Sequence, residues 1–138
     1  MQCLYVAIVF LAKDGTYLLQ LRDADPRKGA AGLIGGFGGK IESGETALAA
    51  AHRELQEETS LRIDAERLKE MGMVTAVSDY KRKPVEVHIT AFLLPLHSGE
   101  TVTATEGSIV ELSRAEALAQ ATTLTPGTHA CFEIVIKE

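Results

Sequence analysis

Tryptophan is absent from this 138-residue sequence, and cysteine occurs only twice. Cys3 and Cys131 stand near opposite ends without a CxxC pair, which excludes a disulfide framework and predicts two reduced, buried thiols. Zinc-ligand spacing is also missing among the histidines, which we expect to be surface or hydrogen-bonded residues: His52, His88, His97 and His129. The apolar N-terminus has neither a basic leader nor the length of a membrane span, so we expect a cytoplasmic protein without a membrane partner.

Positively charged residues are in the minority: the sequence has 14 Lys and Arg and 19 Asp and Glu, which gives a net charge of -5. This balance argues against a protein that coats a nucleic acid polymer. The charged share of 24% argues against a disordered chain. The length and the hydrophobic share of 46% suit one domain over residues 1–138, as a monomer or homodimer. An acidic protein that binds phosphates needs a metal ion, a few aimed basic side chains or backbone amides to offset repulsion.

Strands are predicted where runs of β-branched, aliphatic and aromatic residues are bounded by turn signals. These segments are residues 3–12 and 17–21 around Lys13-Asp14-Gly15, residues 69–79 and 85–94 around Lys81-Arg82-Lys83-Pro84, and residues 109–112. Residues 23–31 are predicted to be a loop. Residues 35–39 hold too much glycine for either regular structure.

Three segments are predicted to be helical. Within residues 46–59, Leu48, Ala51 and Leu55 recur at the spacing of one buried helix face. The other two helices begin at the Ser113-Arg114-Ala115-Glu116 capping box and at Thr125-Pro126, the latter running through residue 136. Strands with interspersed helices indicate an α/β (α+β) fold in which helices cover the faces of a mixed sheet.

Three glutamates share one side of the first predicted helix. With Leu48 at zero, Glu58 falls roughly 80° away on the flank of the apolar face, Glu54 about 40° further and Glu57 about 60° beyond that. Like charges at this spacing repel, and a partly buried Glu58 is costly unless a cation meets it. The alternative is a solvated face of an ordinary amphipathic helix. The preceding glycine-rich turn favours a site for Mg²⁺ or Mn²⁺, which prefer carboxylate and carbonyl oxygens.

The stretch from Gly39 to Leu61 resembles the Nudix box, G-x5-E-x7-R-E-U-x-E-E-x-G-U, in which U is a bulky aliphatic residue. Glu45 follows Gly39 after five residues, and Arg53-Glu54-Leu55-x-Glu57-Glu58 follows after seven more. Ser60 departs from the pattern, where glycine normally ends the helix in a left-handed conformation. The serine predicts either a cost of about 1 kcal/mol or a different helix exit.

The resemblance implies a Nudix-type α/β/α sandwich and a Mg²⁺-dependent pyrophosphohydrolase of nucleotides, with Mn²⁺ as an alternative ion. The flanking Gly38-Gly39-Lys40 and Leu18–Arg22 segments resemble MutT-type members of the family. The metal ligands it implies are the carbonyl of Gly39 and the carboxylates of Glu54, Glu57, Glu58 and Glu106. Glu54 and Glu106 compete for the role of general base, while Arg53 and Glu45 would align the catalytic carboxylates.

Three further residues are candidate substrate contacts, each with a structural alternative. Arg22 reaches a phosphate or is an exposed hairpin arginine. Phe37 walls the pocket or packs in the core. Lys40 meets phosphate or only the neighbouring carboxylates. With seven aromatic residues and no tryptophan, no side chain can be assigned to stack on a base.

Three functions are consistent with these residues. The first is hydrolysis of nucleoside triphosphates, including oxidised or non-standard ones such as 8-oxo-dGTP, to monophosphate and pyrophosphate. The second is hydrolysis of ADP-ribose or another nucleotide-sugar, although such family members often carry an added N-terminal domain. The third is a non-catalytic nucleotide-binding module, which typically loses the box carboxylates that are kept here as Glu54, Glu57 and Glu58.

Overall fold

The computed structural model describes residues 2–23, 32–80 and 82–136. Within them, seven strands form one sheet: β1 Gln2–Lys13, β2 Thr16–Leu21, β3 Ile34–Gly35, β4 Phe37–Lys40, β5 Lys69–Tyr80, β6 Lys83–Pro95 and β7 Ser108–Ser113. The order is β3-β2-β1-β6-β5, with β4 also paired to β1 and β7 to β2. β1 and β6 are parallel and the other pairs are antiparallel, which confirms the predicted mixed sheet.

The three predicted helices are confirmed among the described residues. They are α1 Ala47–Glu58, α2 Arg114–Ala119 and α3 Pro126–Val135. Each begins at a side-chain cap, because Thr46, Ser113 and Thr125 accept hydrogen bonds from backbone N–H groups of the first turn. Ser113 and Glu116 complete the expected capping box.

Helices α1 and α3 lie on opposite faces of the sheet. Helix α1 buries Ala50, Ala51 and Leu55 in a cluster that includes strand residues such as Val9 and Phe92. Helix α3 buries Cys131, Phe132 and Val135 in the other cluster, which contains strand residues from the opposite face of the sheet. Full burial of one such leucine or phenylalanine stabilises the fold by about 1.5 to 3 kcal/mol. The α/β/α sandwich is therefore confirmed.

The expectation of irregular structure at residues 35–39 was wrong. β3 ends at Gly35, and β4 starts at Phe37 and pairs with β1 through Ile8↔Gly38 and Ala7↔Gly39. A β-carbon on Gly38 would clash with the carbonyl oxygen of Ala7. Glycine is therefore required here by the close approach of two backbones, which local sequence patterns do not reveal.

Cys3 corrects the expectation of two buried thiols. Cys131 is buried, but Cys3 is exposed. Cys3 and Tyr5 lie on the same face of β1 as Ala7, where the buried cluster beneath α1 begins. The part of β1 that precedes Ala7 therefore leaves its side chains on this face accessible.

Some predicted segments lie outside the described residues. These are residues 24–31 of the predicted loop and Lys81 of the β5–β6 turn. Within the described ranges, no helix combines the length and apolar character that a membrane crossing needs.

Candidate active site

Arg53 on α1 organises the acidic cluster. Its Nε and Nη2 atoms donate to the two carboxylate oxygens of Glu45 at 2.8 and 2.9 Å. Nη1 donates to Oε1 of Glu54 at 2.9 Å and to Oε1 of Glu57 at 3.3 Å, while Nη2 also reaches the Lys40 carbonyl at 3.2 Å. The hydrogen bonds from Arg53 lower the pKa of Glu45 to about 2. This geometry agrees with the alignment role expected of Arg53 and Glu45.

Glu58 is a partly buried carboxylate of the cluster. Burial, followed by the charges of Glu54 and Glu57, raises the pKa of Glu58 to about 7, although a hydrogen bond from the Gly38 backbone and the charge of Arg22 oppose the shift. Its Oε1 atom is buried without a hydrogen-bond partner. A buried carboxylate oxygen in this state is destabilising unless a cation satisfies it.

Gly39 lies directly against the carboxylate of Glu54. A β-carbon at Gly39 would come within 2.6 Å of Oε1 of Glu54. Strand β4 therefore approaches the carboxylate of Glu54 on α1 closely. Any larger residue at position 39 would displace Glu54.

Glu106 is brought to α1 by the segment that precedes β7. Thr105 donates from its backbone N–H to the Glu58 carbonyl at 2.8 Å and from Oγ1 to the Glu57 carbonyl at 3.0 Å. On the other side, Nε2 of Gln20 donates to the Glu106 carbonyl at 2.8 Å. These bonds anchor the Glu106 backbone both to the end of α1 and to β2.

The four glutamates predicted as metal ligands line one cavity. Its volume is about 280 Å³, and its lining is Gln20, Glu54, Glu57, Glu58, Thr105 and Glu106. A smaller cavity of about 50 Å³ shares Gln20, Glu58 and Glu106 and adds Arg22, Asp23 and Gly107. Arg22, one of the candidate substrate contacts, therefore lies beside two of the carboxylates. The sequence analysis did not identify Gln20 or Thr105. A glutamine within the apolar run of β2 is the signal that could have pointed to Gln20, which is buried.

Two predicted substrate contacts are not brought to this cavity. Phe37 is fully buried in the cluster beneath α1, so the expectation that it walls the pocket is corrected to packing. It points away because alternation along β4 turns its side chain toward the helix. The Lys40 side chain is exposed, and its carbonyl oxygen accepts the bond from Arg53.

The cluster fits a hard divalent cation such as Mg²⁺ or Mn²⁺. Its donors are carboxylate oxygens, with the Gly39 backbone alongside, and those ions prefer oxygen ligands. The orphaned Oε1 atom of Glu58 is an independent sign of fit, because a bound cation would satisfy it. Arg53 offsets part of the negative charge from one side only.

Helix α1 ends at Glu58 and the chain is extended at Thr59, without the left-handed residue that the resemblance would place at Ser60. Thr59 has φ -137° and ψ 170°, and Ser60 has no positive φ. Ser60 N–H donates to the Thr103 carbonyl at 3.0 Å, and Ser60 Oγ accepts from Thr103 N–H at 3.0 Å. Of the two alternatives for Ser60, the structure therefore supports a different path of the chain after the helix.

We expect Ser60→Gly to lower the free energy of unfolding by about 1 kcal/mol, because it removes the acceptor for Thr103 N–H and adds backbone freedom. Urea denaturation of the two proteins measures the difference. Ser60→Ala keeps the backbone restriction and isolates the lost hydrogen bond. A stabilised Ser60→Gly variant would show that glycine suits this exit better than the structure indicates.

Comparison with known proteins places the chain among relatives of similar architecture. The sequence profile described as the NUDIX domain matches residues 1–133. An oxidized purine nucleoside triphosphate hydrolase of Danio rerio is 34% identical over 84 residues, which are 61% of this chain and 51% of that protein. The chain therefore spans about half the length of this curated relative.

Two solved structures are similar over nearly the whole chain. The Escherichia coli ORF135 protein superposes with a TM-score of 0.70 and 25% identity, covering 97% of this chain and 89% of that one. A MutT NUDIX hydrolase from Burkholderia pseudomallei superposes with a TM-score of 0.75 and 21% identity, covering 97% and 98%. The second likeness bears on the fold alone.

Proposed function

The chain belongs to the Nudix hydrolase family, and from that premise we propose that it hydrolyses nucleoside triphosphates to monophosphate and pyrophosphate. One observation carries the proposal: four glutamates converge on a single cavity, and one of them holds a buried oxygen without a partner. A purely structural acidic face would be solvated and would not bury such an atom.

Glu54, Glu57, Glu58 and Glu106, with the Gly39 carbonyl, are proposed to hold Mg²⁺ or Mn²⁺. When bound, the divalent ion supplies charge neutralisation for the diphosphate and a more acidic water. Arg53 keeps Glu54 and Glu57 in place through bonds of 2.9 and 3.3 Å, so it acts as a positioning residue.

The chain's own residues would then handle the proton and the charge of the phosphates. Water adds to a phosphorus atom, its proton passes to a carboxylate, and the bridging P–O bond breaks. Glu54 and Glu106 are the two candidates for that carboxylate, one fixed by Arg53 and the other on the segment anchored to Gln20. Arg22 lines the smaller cavity beside Glu58 and Glu106, where a guanidinium suits a phosphate oxygen.

Oxidised or non-standard purine triphosphates are the proposed substrate class. Support comes from the similarity to the Danio rerio hydrolase, which carries that activity in its name, over 61% of this chain. Hydrolysis of ADP-ribose or another nucleotide-sugar is the alternative within the same family. A non-catalytic binding module is the least favoured, because Glu54, Glu57 and Glu58 are all kept and share the cavity.

A substrate panel with and without Mg²⁺ or Mn²⁺ tests the proposal. The panel holds standard and oxidised nucleoside triphosphates, ADP-ribose and common nucleotide-sugars, with products separated by chromatography. We expect monophosphate and pyrophosphate from triphosphates, only with metal, and the highest kcat/KM for an oxidised purine. Cleavage confined to nucleotide-sugars would support the alternative, and metal-dependent binding without products would favour the module.

A further inference from the structure

A second cluster of potential metal ligands lies on the strands, apart from the carboxylate cavity. One ligand atom each from Cys3, Glu86 and His88 lies within 4.8 Å of the other two. Cys3 is exposed, and the other two residues are partly buried. The proposed hydrolysis uses none of the three.

The parallel pairing of β1 with β6 creates this cluster. Cys3 is the register partner of Glu86, and Tyr5 is the register partner of His88. Residues two apart on a strand project from the same face, so all four side chains share one face of the sheet. This face precedes Ala7 on β1, where the cluster covered by α1 begins.

Two contacts hold the imidazole of His88 in place. Its Nε2 atom lies 2.7 Å from Oε1 of Glu86. The Tyr5 ring stacks on it with a centroid separation of 4.9 Å and an interplanar angle of 20°. The ring therefore loses little conformational freedom on binding a ligand, which favours affinity.

We propose that Cys3, Glu86 and His88 form a binding site for Zn²⁺. Thiolate, carboxylate and imidazole are the donors of tetrahedral zinc sites, whose ligand atoms are roughly 3.3 to 3.5 Å apart given Zn–S of about 2.3 Å and Zn–N of about 2.0 Å. The ligand atoms lie within 4.8 Å of one another, and the 2.7 Å between His88 Nε2 and Glu86 Oε1 is shorter than that range, so binding requires side-chain rotations. The thiolate and carboxylate together balance a divalent charge, and water takes the fourth position.

The two metal sites differ in the ion that they prefer. The carboxylate cavity offers oxygen donors, which suit Mg²⁺ and Mn²⁺, whereas a thiolate and an imidazole select borderline-soft ions such as Zn²⁺. Zinc would also link the start of β1 to β6, since Cys3 belongs to one strand and Glu86 and His88 to the other. Zinc binding should therefore raise the melting temperature by mass action.

Cobalt titration of the reduced full-length protein tests the site. Four-coordinate Co²⁺ bound to a thiolate gives a charge-transfer band in the near ultraviolet and visible d–d bands, whereas oxygen ligands give no thiolate band. We expect one thiolate-bound Co²⁺ per chain, displaced by Zn²⁺. Cys3→Ser should abolish the band, and Glu86→Gln or His88→Gln should weaken binding at least about tenfold.

His129→Gln is the matched control, because His129 is exposed on α3 and away from the cluster. It should bind Co²⁺ as the unmodified protein does. Circular dichroism checks that every variant is folded. Zn²⁺ should raise the melting temperature of the unmodified protein by more than that of Cys3→Ser, in which only the carboxylate cavity remains to bind it. The absence of a thiolate band, its survival in Cys3→Ser, or unchanged affinity in both Glu86→Gln and His88→Gln would overturn the site.

Discussion

Glu57→Gln is expected to lower kcat at least about 100-fold while leaving the fold intact. Replacing the carboxylate by an amide removes the negative charge of a metal ligand but keeps the side-chain volume. Mutation of residues that only support metal ligands already lowers metal affinity or activity roughly 10- to 100-fold. The Glu57 side chain is 58% exposed, and its ion pair with Arg53 spans 3.3 Å, so its removal costs little stability. Steady-state kinetics with Mg²⁺, beside a denaturation curve, measure both quantities.

Glu133→Gln is the matched control for that experiment. It makes the same chemical change at an exposed position of α3, outside the carboxylate cavity. Its activity should equal that of the unmodified enzyme. Equal activity in Glu57→Gln would contradict the assignment of Glu57 to the metal site, whichever substrate the enzyme uses.

Glu58→Gln is expected to abolish activity and yet stabilise the metal-free protein at pH 8. The pKa of Glu58 rises from 4.5 to about 7 on folding, first because of burial and then because of the charges of Glu54 and Glu57. The unfolded chain therefore releases its proton first as the pH rises. The resulting destabilisation grows as the pH rises from 4.5 to about 7 and is constant above that pH, where it amounts to about 3 kcal/mol.

Denaturation in the presence of a chelator at pH 4 and pH 8 tests this sign. Glutamine cannot ionise, so the variant should match the unmodified protein at pH 4 and exceed it at pH 8. Added Mg²⁺ should reverse the order at pH 8, because it binds and stabilises the unmodified protein more strongly. A variant that is less stable than the unmodified protein at pH 8 without metal would show that Glu58 does not carry a burial cost.

The carboxylates of the candidate site differ in their effect on the stability of the metal-free protein. Burial disfavours the charge of Glu58, and its Oε1 atom has no hydrogen-bond partner, whereas the Glu57 side chain is exposed. Arg53 compensates the repulsion within α1 by contacting Glu54 and Glu57 from one side. The carboxylates of Glu54 and Glu57 also line the cavity, which is where we propose that the ion and the phosphates bind.

Local periodicity predicted much of the fold and the core of the site. The apolar spacing of α1 indicated that Glu58 borders the buried face, and the structure shows it partly buried, with its Oε1 atom inaccessible to solvent. The capping residues Thr46, Ser113 and Thr125 begin the helices because caps act within one turn. The hairpins likewise depend on adjacent segments.

Pairing between distant segments could not be predicted in the same way. The glycine-rich stretch forms strand β4 because Gly38, which has no side chain, can lie close to the backbone of Ala7. In this strand the side chain of Phe37 is buried in the core. The main-chain anchors of Glu106, at Thr105 and Gln20, also depend on contacts between elements far apart in sequence. No local pattern encodes such contacts.

The sequence by itself indicated the acidic residues of the candidate site, the helices and the alternation of strands, because each depends on residues within a few turns or one hairpin. Only the tertiary structure decided which side chains face the cavity and which strands lie side by side. The parallel register of β1 and β6 placed Cys3 beside Glu86 and His88, although more than eighty residues separate them. A sheet register is set by the burial of whole faces, and that is a property of the assembled fold.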